Sequence, residues 1–310
     1  MSLDFKVSDS LIRDLIKNQQ RDRFWRNTRF LVWILLIGAG IFFAIYGIPS
    51  EGRSKPTAPY VALIRLDGFI SSDSSFSAAK ILPQLENAFS DKQAKGVVLE
   101  INSGGGSPVQ AEIIEQKILE LKKQYNKKVI VVGEDVLASG AYLVAMGADE
   151  VYVNQDTLTG SIGVIMEGFG FADAIKKIGV SRRVYTAGNH KDRLDPFQPV
   201  ATEDKEKITD LLDETHTHFV ETVTTSRGNR LKGNPEELFS GDFWIGSQAL
   251  KLGIVDGLGN VSDILPRVFH VTHYVDYSEE PSLIESVLKG VKTELDLTLS
   301  YHHDALSAQL

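Results

Sequence analysis

Two kinds of apolar run organise the chain. From Phe30 to Ile48 the sequence FLVWILLIGAGIFFAIYGI passes nineteen residues without a charge. Wound as an α-helix it would be about 28 Å long, close to the hydrocarbon thickness of a bilayer. Beyond Tyr60 the apolar runs are shorter and alternate with stretches of helical spacing. Strands are predicted at 60–66, 96–101, 128–133, 150–154 and 181–186, where β-branched residues gather. Helices are predicted between them at 77–89, 108–125, 139–146 and 172–178. A longer helix is expected after Thr202 as its cap, with Glu203 and Asp204 at the positive end of its dipole, stopping before Arg227-Gly228. Asn234-Pro235-Glu236-Glu237 has the cap, the proline and the third-position acid of another helix start. Buried, β-branched strands separated by helices predict an α/β fold: a parallel sheet flanked by helices.

Charge separates the two parts of the chain. The whole carries 33 Lys+Arg against 41 Asp+Glu, a net of −8. Residues 1–29 hold seven Lys/Arg and four Asp, a net of +3, which leaves about −11 on the rest. A body this acidic lacks the clustered cations that non-specific nucleic-acid binding needs, so no nucleic-acid partner is expected. Arg21, Arg23, Arg26 and Arg29 flank the apolar run on its N-terminal side and predict that this end stays in the cytoplasm. Trp25, Trp33 and Tyr46 sit near its two ends, where amphipathic rings favour the interface. Gly40 and Ala44 form a small-xxx-small pair, a weak cue for helix pairing. A cleaved leader fits poorly, because the basic region is too long and no A-x-A site follows. The expected organisation is a cytoplasmic segment (1–29), a single-pass signal anchor (30–48), a Pro/Ser/Gly-rich tether (49–59), one catalytic domain (60–280) and a C-terminal tail (281–310).

Cysteine is absent, which removes thiol catalysis, Cys-ligated metals and disulfides. Four segments could carry chemistry. Ile101-Asn102-Ser103-Gly104-Gly105-Gly106-Ser107-Pro108 is a glycine turn between a strand and a helix. It fits neither dinucleotide nor phosphate-loop spacing. It is either a plain tight turn or a turn that aims backbone N–H groups at an anion. Val136-Leu137-Ala138-Ser139-Gly140-Ala141-Tyr142 opens a helix with a serine among small neighbours. Such a serine is commonly an N-cap, but here there is room for a substrate carbonyl at the hydroxyl. Thr157 to Val164 brings Thr159, Ser161 and two glycines together and read alone is a β-turn; Ala187 to Asp192 is a polar loop containing His190 and Lys191. A nucleophilic Ser139 needs a base. None of the seven histidines sits in a triad motif, and His216 and His218 are two apart, so on a helix they point in different directions and make a poor metal pair. For Lys191 to serve, an apolar cleft would have to strip its proton at a cost of roughly 4 kcal/mol.

In this order and spacing the four segments resemble the signal peptide peptidase A family, membrane-anchored Ser–Lys proteases of the ClpP/crotonase superfamily. The similarity runs from about Val61 to Gly259 and is closest between Val97 and Asp192. The resemblance implies Ser139 as nucleophile, Lys191 as general base, Ser161 as a hydroxyl bonded to that lysine, and oxyanion donors in the glycine turn at Gly105 and at Gly140. The family's Asn-Ser-Pro-Gly-Gly reads Asn102-Ser103-Gly104-Gly105-Gly106 here, and the first lysine of its base motif is Asn189. It further implies peptide substrates, residual signal peptides with small or apolar side chains foremost, and no cofactor or metal ion. A homo-oligomeric ring is implied, in which serine and lysine can come from neighbouring subunits, held at a bacterial inner membrane with its catalytic domain outside the cytoplasm. Three other readings share the fold: a related protease of membrane-organising proteins, an acyl-CoA hydratase or isomerase of the crotonase type, and a catalytically silent membrane scaffold.

Overall fold

A computed structural model describes residues 23, 25–40, 42 and 56–278. Residues 25–40 are helical (α1), and the side chains from Phe30 to Ile37 are exposed. Among the described residues no helix is long and apolar enough to cross a membrane. Positions 41 and 43–48 of the expected anchor lie outside the described residues, as do 1–22, most of the tether and the tail 281–310.

From Pro56 onward the chain forms a separate unit, a mixed α/β fold around one sheet. Its strands are β1 (Tyr60–Asp67), β2 (Ala94–Ser103), β3 (Lys128–Ala138), β4 (Glu150–Val153), β5 (Leu158–Gly160), β6 (Phe243–Ile245), β7 (Gly257–Leu258) and β8 (His273–Asp276). The order along the main path is β6-β5-β3-β2-β1-β8, with β4 joining β3 to β7. All pairings are parallel except β5 with β6. The strands read as continuous apolar runs because both faces are covered. Val97, Leu99, Ile101, Val129 and Val131 enter one apolar cluster. Val98, Ile130 and Val132 enter a second on the opposite face. Helices α2 (Ala78–Ser90) and α3 (Pro108–Tyr125) supply side chains to the first; α9 (Val261–Ile264) supplies the second.

One irregularity in β3 positions everything that follows. Ile101 of β2 faces Gly133, but Ser103, two residues on, faces Leu137, four residues on. The extra β3 residues bulge, and the Asn102 side chain accepts from the Val136 amide at 3.2 Å. A bulge re-aims the strand that carries it. The first half of β3 therefore pairs with β4, and its last three residues pair with β5.

The remaining helices are α4 (Gly140–Ala145), α5 (Ala172–Lys177), α6 (Thr202–Arg227), α7 (Pro235–Leu238) and α8 (Gly246–Leu252). Two expectations change. Residues 181–186 form no strand: among the described residues their backbone pairs with no other segment. Thr202 is the first residue of α6 rather than its cap; Ala201 takes that place, its carbonyl accepting from Asp204 and Lys205. The Asn234 cap is present, its side chain accepting from the Glu236 amide.

Candidate active site

Ser139 stands at the junction between β3 and α4, with φ 53 and ψ −127. Such a conformation costs a residue with a Cβ about 1–3 kcal/mol. The surroundings impose it: the Ser139 amide donates to the Gly160 carbonyl at 2.9 Å, and its carbonyl accepts from Leu143 at 3.0 Å as α4 begins. The hydroxyl makes no capping bond. Plain helix capping therefore does not explain this serine, whose half-buried hydroxyl has no protein hydrogen-bond partner among the described residues.

The glycine turn packs directly against it. Gly105 has φ +98, and a Cβ placed there would lie 2.6 Å from the Gly140 nitrogen and 2.8 Å from the Ser139 Cβ. Gly106 has φ +146 and bridges to Ile70: the Ser107 amide donates to the Ile70 carbonyl, and the Ile70 amide to the Gly105 carbonyl. Both bonds at Ile70 use the peptides on either side of Gly106, so the Gly106 N–H points the other way. A Cβ on Gly140 would meet the Gly106 nitrogen at 3.3 Å. The amides of Gly106 and Gly140 thus come together beside Ser139, and neither donates to a protein acceptor among the described residues. The expected donor Gly105 differs: its amide donates to Ser103 Oγ at 3.1 Å. Its role is steric, since only a missing side chain lets the turn lie this close. Gly106, whose amide the pairing leaves free, was not among the positions expected from the sequence. Three successive glycines gave no cue as to which amide the strand pairing would leave free.

Ser161 is brought toward Ser139 by the β3–β5 ladder, in which Ala138 faces Gly160 and the residues just beyond the two strands are the two serines. It has φ 52 and its amide donates to the Asp242 carbonyl at 2.7 Å. Thr159 Oγ1 closes the ladder on the Leu137 carbonyl at 2.7 Å. The segment is thus a strand end with a left-handed exit rather than a β-turn.

Beside Ser139 opens a cleft of about 140 Å³, walled by Pro108, Leu143, Val164, Ile165 and Phe219, with Glu112 and His218 as polar members. That is close to the size of a cavity that holds one benzene ring, roughly 150 Å³. One turn along α3 from Glu112, the Glu115 carboxyl is buried and pushed up to about 7, by burial first and then by Glu112, with Lys122 opposing. The floor of the site is anchored from below: Tyr142 of α4 donates to the Ile254 carbonyl at 2.7 Å, and buried Arg227 pairs with Asp256 at 2.6 Å.

Lys191 is not brought to Ser139. It is exposed, in a turn whose Lys191 amide donates to the Gly188 carbonyl at 3.2 Å, and it is not among the residues that line the cleft. Its loop is tied to the start of α6 by Arg193, which pairs with Asp204 and with Glu203. The surrounding segment is unusually apolar for an exposed surface: Ile165 is 80% exposed, Phe169 83% and Tyr185 91%. Among the described residues no group of three or more His, Asp or Glu could hold a metal ion.

The model of peptidase family S49 matches residues 121–270. A Brucella abortus protein named Na(+)/H(+) antiporter NhaA is 42% identical over 245 residues, 76% of this chain and 33% of that protein. A Synechocystis sp. protein provisionally named a protease is 32% identical over 207 residues, 67% of this chain and 72% of that protein. Protease 4 of Haemophilus influenzae is 31% identical over 264 residues, 80% of this chain and 41% of that protein. The chain therefore spans only a third of the length of the first of these relatives.

Proposed function

Because this chain belongs to peptidase family S49, we propose that it is a serine peptidase in which Ser139 attacks the substrate carbonyl and Lys191 of a neighbouring copy of the chain is the base. The observation that carries the reading is the strained Ser139 elbow beside the amides of Gly106 and Gly140, the hydroxyl and both amides without a protein partner among the described residues. The lysine amine takes the Oγ proton as Oγ bonds to the carbonyl carbon. The carbonyl oxygen gains the negative charge and is held by the two amides, at a helix start that favours it. Collapse breaks the C–N bond, the lysine returns the proton to the leaving amine, and water releases the acyl group from Ser139. Ser161 holds the lysine in place.

The exposure of Lys191 supports placing the base across a subunit boundary. An amine serves as base only when its charged form is desolvated. A second copy covering Ile165, Phe169 and Tyr185 would bury that apolar surface and strip water from the amine together. A closed homo-oligomeric ring repeats this contact at every boundary. The bulged β3, feeding two neighbours, supports the ClpP/crotonase-like assignment. The apolar cleft suits small or aliphatic side chains, and residual signal peptides are substrates of that kind. The uncharged run 30–48 and the exposed apolar side chains of α1 support an anchor in a bacterial inner membrane, its N-terminus cytoplasmic and its catalytic domain outside.

Mixing two inactive variants tests the central claim. Ser139→Ala and Lys191→Ala are each expected to lose peptide hydrolysis while staying folded. Co-assembled, they should regain a substantial fraction of it, because some boundaries then join an intact serine to an intact lysine. Full activity in either single variant overturns the dyad; failure to complement places both groups within one chain.

A further inference from the structure

His216 lies on α6 among residues that line the cleft. Thr215 lines it, and so do His218 and Phe219, while the His216 ring turns to the main chain opposite. Its Nε2 is 3.1 Å from the Ile162 carbonyl oxygen. A carbonyl only accepts, so Nε2 carries the proton in this bond.

Ile162 sits between Ser161 and the cleft wall formed by Gly163, Val164 and Ile165. Upstream the segment is held firmly: the Ile162 side chain is fully buried, the Ser161 amide donates to Asp242, and the Gly163 amide donates to the Ser161 carbonyl at 2.9 Å. Downstream the hold ends. Among the described residues, no backbone hydrogen bond involves Val164 to Gly170; the next is from the Phe171 amide to Pro196. Among the described residues, the His216 bond is therefore the last polar tie from this segment to another element before Val164, and it runs to the helix that forms the facing wall.

We infer that His216 is a positioning residue: by holding the Ile162 carbonyl to α6 it sets the width of the cleft beside Ser139 and so selects the side chain admitted next to the scissile bond. The inference rests on the peptidase reading for its consequence, though not for the tie itself. Phe219, three residues on and on the same helix face, packs into the cleft, so a shift of this part of α6 is felt in the cleft directly.

Three full-length variants test it, with two peptides differing only in leucine or alanine before the cleaved bond. His216→Phe keeps a ring and loses the donor; His216→Gln keeps an N–H; Ser139→Ala is the control for the reaction. The leucine-to-alanine ratio of kcat/KM is expected to move by about fivefold or more in His216→Phe and to stay within about twofold of wild type in His216→Gln. A general loss of stability would scale both peptides alike and leave the ratio unmoved. Hydrogen exchange at the Ser161 and Gly163 amides should quicken by about tenfold in the phenylalanine variant only. An unchanged ratio in both variants, an equal change in both, or unaltered exchange overturns the inference. Hydrolysis that persists in Ser139→Ala overturns the peptidase reading instead, and the exchange measurement then decides the tie by itself.

Discussion

Replacing Gly105 by alanine probes how closely the turn and Ser139 are packed. The added Cβ would lie 2.6 Å from the Gly140 nitrogen, 2.8 Å from the Ser139 Cβ and 3.1 Å from the Ala138 carbonyl oxygen. Carbon and its neighbours settle at about 3.5 Å or more, so the turn and the elbow must part by roughly 1 Å. Two costs add. A Cβ at φ +98 is strained by about 1–3 kcal/mol, and forcing an extra carbon between packed backbones costs a further ~1–3 kcal/mol. A loss of about 2–6 kcal/mol in unfolding free energy is expected, read from urea titrations. Activity should suffer more than stability implies, because the displaced atoms are the Gly140 amide and Ser139 themselves. A misplacement of about 1 Å in such a constellation costs on the order of 10²-fold in kcat/KM. Gly104→Ala is the built-in control: nothing lies within 4 Å of its added Cβ. It should stay within about 0.5 kcal/mol of wild type and retain activity. Wild-type hydrolysis by the Gly105 variant, or equal damage from the Gly104 variant, would refute the packing argument.

The elbow and the buried acid give two more expectations. Ser139→Gly removes the strain at φ 53 and should melt a few degrees above Ser139→Ala, a gain of about 1 kcal/mol after the entropy glycine adds to the unfolded chain, with hydrolysis lost in both; a lower melt for the glycine variant would deny that the elbow is strained. Glu115 keeps its proton to about 7 when folded against 4.5 as the ordinary value, so ionising it opposes folding. Stability from this group is therefore full at pH values below about 4.5 and is lost as pH rises through about 7. Glu115→Gln should match wild type near pH 5 and exceed it by about 2 kcal/mol at pH 8, allowing for partial screening by solvent; parallel pH–stability curves would contradict this.

Much of this molecule is legible in the chain. Strands β1 to β4 and helices α2 to α4 follow from runs of Val, Ile and Leu broken by Gly, Pro and Ser, because period and turn chemistry are local properties. Ser139 stands out for the same reason, as a small polar residue at a strand end among glycines, whereas Ser161, in a segment that reads as a β-turn, is singled out only by the family resemblance. What the chain could not reveal is decided by pairing between distant segments. The short strands β5 to β8 have too few residues to declare themselves and exist because an edge is present to receive them. Residues 181–186 have strand-like composition, yet among the described residues their backbone pairs with no other segment. The β3 bulge sets Ser139 beside Ser161, and the bridge from Ile70 turns the Gly106 amide, rather than that of Gly105, toward Ser139. A hydrogen bond has a direction that only the fold supplies, whereas composition records the donor alone. Lys191 marks the boundary: sequence picks it out, and one folded chain leaves it in water, apart from the serine it would serve.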